Sequence, residues 1–198
     1  MYNLKKLLKS IGIKTIHAPY EADIIIPYII RKFNLEPFCL SDDTDFLPHQ
    51  LNLLANFNTI TQTVDYFNYL ELTEELGMNK KEFIDMCIIM GCDYCKKIKG
   101  IGPMNAYKLI KQYKSLEIFF EKTNKLDNLN EFIYARNMFI QPEINYEIEN
   151  DFKLTKIDID NFNNICEILK ITNNYKNRII KIRQRSNYNP ITNYFSCK

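Results

Sequence analysis

Five acidic side chains, Glu21, Asp23, Asp43, Asp45 and Asp93, stand in three separate stretches of the chain. Carboxylates gathered from several elements are what a hard divalent cation needs. Mg²⁺ takes oxygen ligands in octahedral geometry and keeps several of its waters. Two such ions about 4 Å apart can activate a water and stabilise the leaving oxygen of a phosphodiester. Asp43 and Asp45 are two residues apart, so in an extended chain they point to one side. A plainer reading stands beside this one. Acids such as Glu21 and Asp23 at the start of a helix complement its dipole, and Asp runs such as Asp42-Asp43-Thr44-Asp45 are ordinary turn formers. Spacing alone does not choose between the two.

A second constellation is less ambiguous. In the stretch 98–111, Gly100 and Gly102 bracket one apolar residue, Pro103 opens a helix, and Ala106, Leu109 and Ile110 form its buried face. This is the pattern of a helix-hairpin-helix turn. Its glycines let backbone approach a phosphate closely, and the following helix offers unpaired N–H groups. Such contacts grip the nucleic-acid backbone and ignore base sequence. The alternative is a plain helix-helix turn. Six lysines and no acid lie between Tyr94 and Leu116, Lys99, Lys108, Lys111 and Lys114 among them, and they favour the phosphate reading. A second basic cluster holds Lys176, Arg178, Lys181, Arg183 and Arg185.

The elements that must position these residues are readable in outline. Residues 12–17 predict a buried strand, Pro19 to about Phe33 a helix, and 37–41 a strand ending at the Asp run. Strand, helix and strand in that order predict a βαβ unit with a parallel sheet, whose sites lie at the carboxyl ends of the strands. Further strands are predicted at 51–55 and 63–67. Helices are predicted at 2–10, 69–76, 80–90, 103–113, 115–121, 129–138, 158–169 and 173–185.

The 198 residues are 46% hydrophobic, enough for one domain with a helical appendage. No apolar run reaches 18 residues, which excludes a membrane-spanning helix, and the opening residues make a poor signal peptide. An intracellular protein is expected. Six scattered cysteines suit reduced thiols better than a disulfide framework. Cys92 and Cys95 form a lone CxxC, and zinc would need two further ligands at suitable spacing.

Taken together, APYEAD (18–23), LSDDTDFL (40–47), MGCDYCKKIKGIGP (90–103) and AYKLIKQYKSLE (106–117) resemble the flap endonuclease family of structure-specific 5′ nucleases. The resemblance covers practically the whole chain. It implies an α/β fold, a partial parallel sheet with flanking helices (a PIN-like 5′-nuclease core), followed by a helical helix-two-turn-helix region. Residues 1–78 would be the nuclease core, 79–185 the DNA-binding region and 186–198 a tail. Glu21 and Asp23 match acids of a first Mg²⁺, Asp43 an acid near both ions, and Asp45 and Asp93 acids of a second. Asp42 matches a position that is acidic but not a main ligand, and Tyr94 an aromatic beside the site. The hairpin, with Gly100, Gly102, Lys99, Lys108, Lys111 and Lys114, would bind duplex behind the cleavage point. It would also hold a K⁺ ion, largely through backbone carbonyls, at positions matching Lys97, Ile98 and Ile101. Lys97 replaces a hydroxyl residue there, and Met104 and Asn105 replace basic ones. Ile191, Tyr194 and Phe195 have the spacing of a sliding-clamp motif, with Tyr188 where Gln is usual.

The implied activity is phosphodiester hydrolysis at 5′ flaps, nicks or gaps in DNA, in nuclear replication and repair or at a viral or cytoplasmic replication site. The family has a region before the point matched by Met1, with a first strand, further acids and a helical arch. Three accounts follow: part of a longer nuclease, a half completed by a second chain, or a non-catalytic, structure-selective DNA-binding remnant. A PIN-like RNase fits less well, because such domains generally lack this hairpin. An open sheet edge is expected where the further strand would pair.

Overall fold

The computed structural model describes residues 2–18, 21–124, 129–142, 144, 147 and 154–186. The sliding-clamp pattern Ile191, Tyr194 and Phe195 lies outside them. The chain divides into two compact units, Met1–His17 with Glu149–Lys198, and Ala18–Ile148. This partition follows contacts and is separate from the division by role into 1–78, 79–185 and 186–198.

Helix α1 (Tyr2–Ser10) belongs to the smaller unit; the larger one holds α2 (Ala22–Lys32) and a three-stranded sheet of β1 (Phe38–Leu40), β2 (Asn52–Asn58) and β3 (Thr63–Phe67). β1 pairs parallel to β2, with Cys39 opposite Leu53, and β2 pairs antiparallel to β3, with Leu54 opposite Tyr66. The sheet is therefore mixed, and a short 3₁₀ turn (Thr44–Phe46) lies in the β1–β2 crossover. One face buries Cys39, Leu53 and Ala55 against Ile30 and Phe46.

Five helices follow: α3 (Tyr69–Glu75), α4 (Lys80–Met90), α5 (Pro103–Tyr113), α6 (Leu116–Lys122) and α7 (Leu129–Ile140). Their starts are set by local chemistry. The Asn68 side chain accepts from the amides of Leu70 and Glu71, and Asn79 and Glu82 form a reciprocal capping box at α4. Ser115 caps α6. Ile84, Ile88, Ile110, Phe120 and Phe139 form the centre of their common core.

The smaller unit holds α1 (Tyr2–Ser10), α8 (Ile159–Ile168) and α9 (Asn173–Ser186) around Ile11, Phe162 and Cys166. The predicted strand at 12–17 does not form. A strand needs a neighbour along its length; among the described residues, Asp158 N donates to Ser10 O (2.8 Å) just before the stretch and Thr155 N to Gly12 O (3.0 Å) at its first residue, and no ladder follows. Arg183, counted in the second basic cluster, packs inward. It is buried, and its guanidinium donates to the carbonyls of Ile11 (2.6 Å) and Thr155 (2.8 Å).

Gly12 makes this packing possible. Its φ is +78°, and a Cβ there would stand 2.1 Å from the Thr155 carbonyl oxygen. Backbone cannot yield as a flexible side chain can. Gly12→Ala is expected to cost about 2 kcal/mol or more, lowering Tm by about 4 °C or more in a thermal melt. Gly102, at negative φ with nothing near its Cβ position, is the control. A Gly12→Ala melt matching wild type contradicts the packing argument.

Candidate functional site

β1 ends at Leu40, and the Asp run begins two residues later. Ser41 N still donates to Leu54 O (3.0 Å), and Asp42 accepts from Asn56 N (2.7 Å). Asp42 is thus committed to the sheet. Asp43 caps the 3₁₀ turn, its Oδ1 accepting from Asp45 N at 2.9 Å. Of the two readings of the Asp run, the turn forms: an Asp side chain bonds its own backbone two residues on, and here that local bond wins. The Ser41 hydroxyl in turn accepts from Asp43 N at 3.1 Å.

Glu21 is the residue before α2 and makes no side-chain cap bond, so its carboxylate stays outside the helix. The helix itself begins at Ala22, later than expected, and Asp23 lies in its first turn. Asp93 comes from the turn that follows α4. Glu21, Asp23, Ser41, Asp43 and Asp93 line one cleft, with Ile26, Cys39 and Phe46 at its apolar side. Ser41 carried no signal beyond preceding the acids.

Asp45 is not among the lining residues; it sits half-buried beside them. Burial, then the charges of Asp43, Asp93 and Asp23, push its carboxyl up to about 6. The Tyr94 hydroxyl donates to Asp23 at 3.3 Å, while its ring edge meets Phe139 at 5.0 Å between centroids. Burial and the Asp23 charge raise the Tyr94 phenol. This link spans 71 residues and no sequence spacing announces it.

The Asp45 shift has a definite sign. The folded chain holds this proton more tightly than the unfolded chain, so stability falls as pH rises from about 4 to about 6. Asn removes the charge and the slope. In cation-free buffer at pH 8, Asp45→Asn is expected to raise Tm by about 2–4 °C, from roughly 1 kcal/mol after solvent screening. Equal melts at pH 8 would refute the crowding of negative charge around Asp45.

The donor set is all carboxylate oxygen, which matches a hard divalent cation. Among the described residues, no three His, Cys, Asp or Glu side chains close on one point as a ready chelate. Mg²⁺ does not demand such a cage, since one or two carboxylates and several waters complete its shell. The chemistry of the residues fits the ion.

The hairpin lies in the same unit. Gly100 is exposed at φ +86°, and Gly102 is the residue before α5, whose first position is Pro103. A Cβ at either glycine would meet nothing within 4 Å. The backbone here is open to a large ligand. Lys99 and Lys108 are exposed. Lys111 is otherwise engaged, its ammonium donating to the carbonyls of Leu76 (3.3 Å) and Gly77 (3.0 Å) at the end of α3. Lys114 stands 3.6 Å from Glu82. At the positions matched to K⁺, the Ile98 carbonyl accepts from Ile101 N at 3.3 Å, and Lys97 packs on Gly91.

Known proteins resemble this chain in sequence and in fold. The XPG I-region family matches residues 12–93. Flap endonuclease 1 of Theileria annulata is 35% identical over 187 residues, covering 91% of this chain and 35% of that protein. Flap endonuclease 1 of Candida tropicalis is 34% identical over 166 residues, covering 79% and 44% respectively. The chain thus spans less than half the length of these relatives. Among solved structures, the catalytic core of Rad2 in complex with DNA substrate superposes with a TM-score of 0.73 at 19% identity, over 92% of this chain and 66% of that one. Flap endonuclease-1 from Methanococcus jannaschii gives 0.69 at 23% identity, over 92% and 55%. The fold is that of the 5′-nuclease cores, and the chain is a member of the 5′-nuclease family.

Proposed function

We propose that this chain is the carboxylate-bearing and duplex-binding part of a Mg²⁺-dependent endonuclease that cuts DNA at 5′ flaps, nicks or gaps, in nuclear replication and repair. The observation that carries the proposal is the cleft that Glu21, Asp23, Asp43 and Asp93 line together, with the Asp45 carboxyl raised behind them by burial and then by its carboxylate neighbours. Mutual repulsion of that kind is costly unless a cation relieves it.

In this reading Glu21, Asp23, Asp43 and Asp93 hold the cations, and Asp45 contributes charge from behind. Bound divalent ions would supply an activated water and charge neutralisation at the phosphate. Tyr94 keeps the Asp23 carboxylate turned to the cleft. Ser41 and the Asp45 amide fix the Asp43 turn. The amides at the start of α5 and the open backbone at Gly100 and Gly102 grip a duplex phosphate, with Lys99 and Lys108 beside them. Lys111 and Lys114 support the hairpin through α3 and Glu82. A K⁺ ion at the hairpin belongs to the same reading. So does clamp docking through Ile191, Tyr194 and Phe195, which rests on the sequence pattern.

We infer further that full activity needs another polypeptide region, in the same protein or a second chain. Among the described residues β1 pairs only with β2, and Phe38 (45% exposed) and Leu40 (67%) lie uncovered beside Tyr66 (39%), stacked on Phe38 at 6.0 Å. An apolar sheet face with an unpaired edge is a site for strand addition.

The test is cleavage of labelled 5′-flap DNA with Mg²⁺, by the chain alone and with the preceding region of a related flap endonuclease supplied. The proposal expects cleavage in the supplemented reaction. Binding without cleavage in both reactions identifies a DNA-binding module instead.

The hairpin has its own test. Any side chain at Gly100 would strain its backbone, so Gly102 separates binding from folding. Gly102→Leu is expected to change stability by no more than about 1 kcal/mol. It should weaken duplex binding about tenfold, equally for unrelated sequences. Unchanged affinity in a fluorescence-anisotropy titration would remove the hairpin from the interface.

A further inference from the structure

The turn that carries Asp93 is closed by two sulfurs. Cys92 and Cys95 form an isolated antiparallel bridge, with Asp93 and Tyr94 as the two residues between them. Their Sγ atoms stand 3.6 Å apart, and both side chains are half-buried and reduced. Residues paired in this way have Cα atoms about 4.5–5.5 Å apart, within the roughly 4.4–6.8 Å span that a disulfide requires. Two thiolates alone are half of a zinc set, and among the described residues no third ligand joins them.

We propose that Cys92 and Cys95 are a reversible thiol-modification site, a dithiol that closes to an intramolecular disulfide by exchange with a small-molecule disulfide such as oxidised glutathione. One cysteine thiolate attacks a glutathione sulfur, forming a mixed disulfide and expelling one glutathione thiolate. The second cysteine thiolate then attacks the protein-side sulfur and expels the other. Two protein thiols are oxidised, one glutathione disulfide is reduced to two thiols, and the protons pass to the leaving thiolates. Closure shortens the sulfur separation from 3.6 Å to about 2.05 Å. The adjustment falls on Asp93, at the cleft, and on Tyr94, which holds Asp23. That consequence for the cleft rests on the proposed function; the exchange chemistry does not.

The test uses the full reduced chain, incubated with oxidised glutathione, alkylated, digested and mapped by mass spectrometry. The expected product is a peptide in which Cys92 and Cys95 are joined, lighter by two hydrogens, unalkylated and restored by dithiothreitol. Cys92→Ser should instead leave a glutathione adduct on Cys95. A wild-type peptide alkylated at both cysteines, a persistent glutathione adduct, or a disulfide mapping to Cys87 overturns the proposal. No DNA or cation enters this measurement, so its failure and a failure to cleave flaps are told apart.

Discussion

Asp43→Asn is expected to reduce flap cleavage by about 100-fold or more while leaving the fold in place. The substitution keeps the side chain's size and its cap. An Asn oxygen accepts from the Asp45 amide as readily as the Asp oxygen does at 2.9 Å, since the two residues are near-equal caps. What disappears is one negative charge at the cleft. Each anionic ligand lost weakens a bound divalent ion and loosens the geometry on which two-metal chemistry depends. Even outer partners of a metal site typically carry about 10–100-fold in affinity or activity, so a direct holder should carry at least the upper figure. The measurement is a single-turnover rate at saturating enzyme, in the reaction that supports wild-type cleavage, with a melt beside it. Asp42→Asn is the comparison. Asp42 accepts from Asn56 N and does not line the cleft, so its rate should stay near wild type. Equal losses at the two positions would deny Asp43 its place.

Asp85→Ala is expected to be the most destabilising single change in the helical part of the larger unit. Asp85 is fully buried, and its Oδ2 accepts from Arg136 Nη2 at 2.7 Å and from Leu116 N at 3.1 Å. Arg136 is itself buried and donates also to Glu117, Nη1 at 2.6 Å. That bond holds the Glu117 carboxyl well below the usual range. One carboxylate thus ties α4 to the start of α6 and to α7. Removing it strands the Leu116 amide and leaves a buried guanidinium short of a partner. Breaking such a pair costs about 3–5 kcal/mol, or about 6–20 °C in Tm for a chain of this size. The pair should be replaceable as a unit. Asp85→Leu with Arg136→Met, similar in volume and apolar, should recover most of the loss. Failure of the double variant to exceed Asp85→Ala would show that the Leu116 amide, rather than the ion pair, sets the cost.

Much of the fold was legible because its signals are local. Asn79 with Glu82, Ser115 and the pair Gly102-Pro103 mark helix starts within four residues, and α4, α5 and α6 begin where those signals put them. The strand expected at 12–17 had the right residue types, but a strand is a relation between two segments, and its partner is not a property of the segment. At Asp43 the sequence left an extended chain and an Asp turn both open, and the turn formed. A local side-chain bond, invisible to alternation patterns, outcompeted the extended chain. The acids of the cleft were nameable by resemblance, and the structure brings Glu21, Asp23, Asp43 and Asp93 to one surface with Asp45 close behind. The supports were legible only in part: resemblance put Tyr94 beside the site, but the bonds of the supporting residues were not readable. Tyr94 reaches Asp23 across 71 residues, and Arg136 reaches Asp85 across 51. Lysine spacing likewise gave no hint that Lys111 is bound to the carbonyls ending α3.

The proposed function requires the cleft to hold divalent cations on its carboxylates. Mn²⁺ takes the same oxygen ligands as Mg²⁺ and scatters anomalously. Crystals of the chain soaked in Mn²⁺ would therefore show the ions directly. At least one anomalous peak is expected within about 2.5 Å of the carboxylate oxygens of Asp43 or Asp93, lost in Asp43→Asn crystals. A map with no peak in the cleft at saturating Mn²⁺ would contradict it.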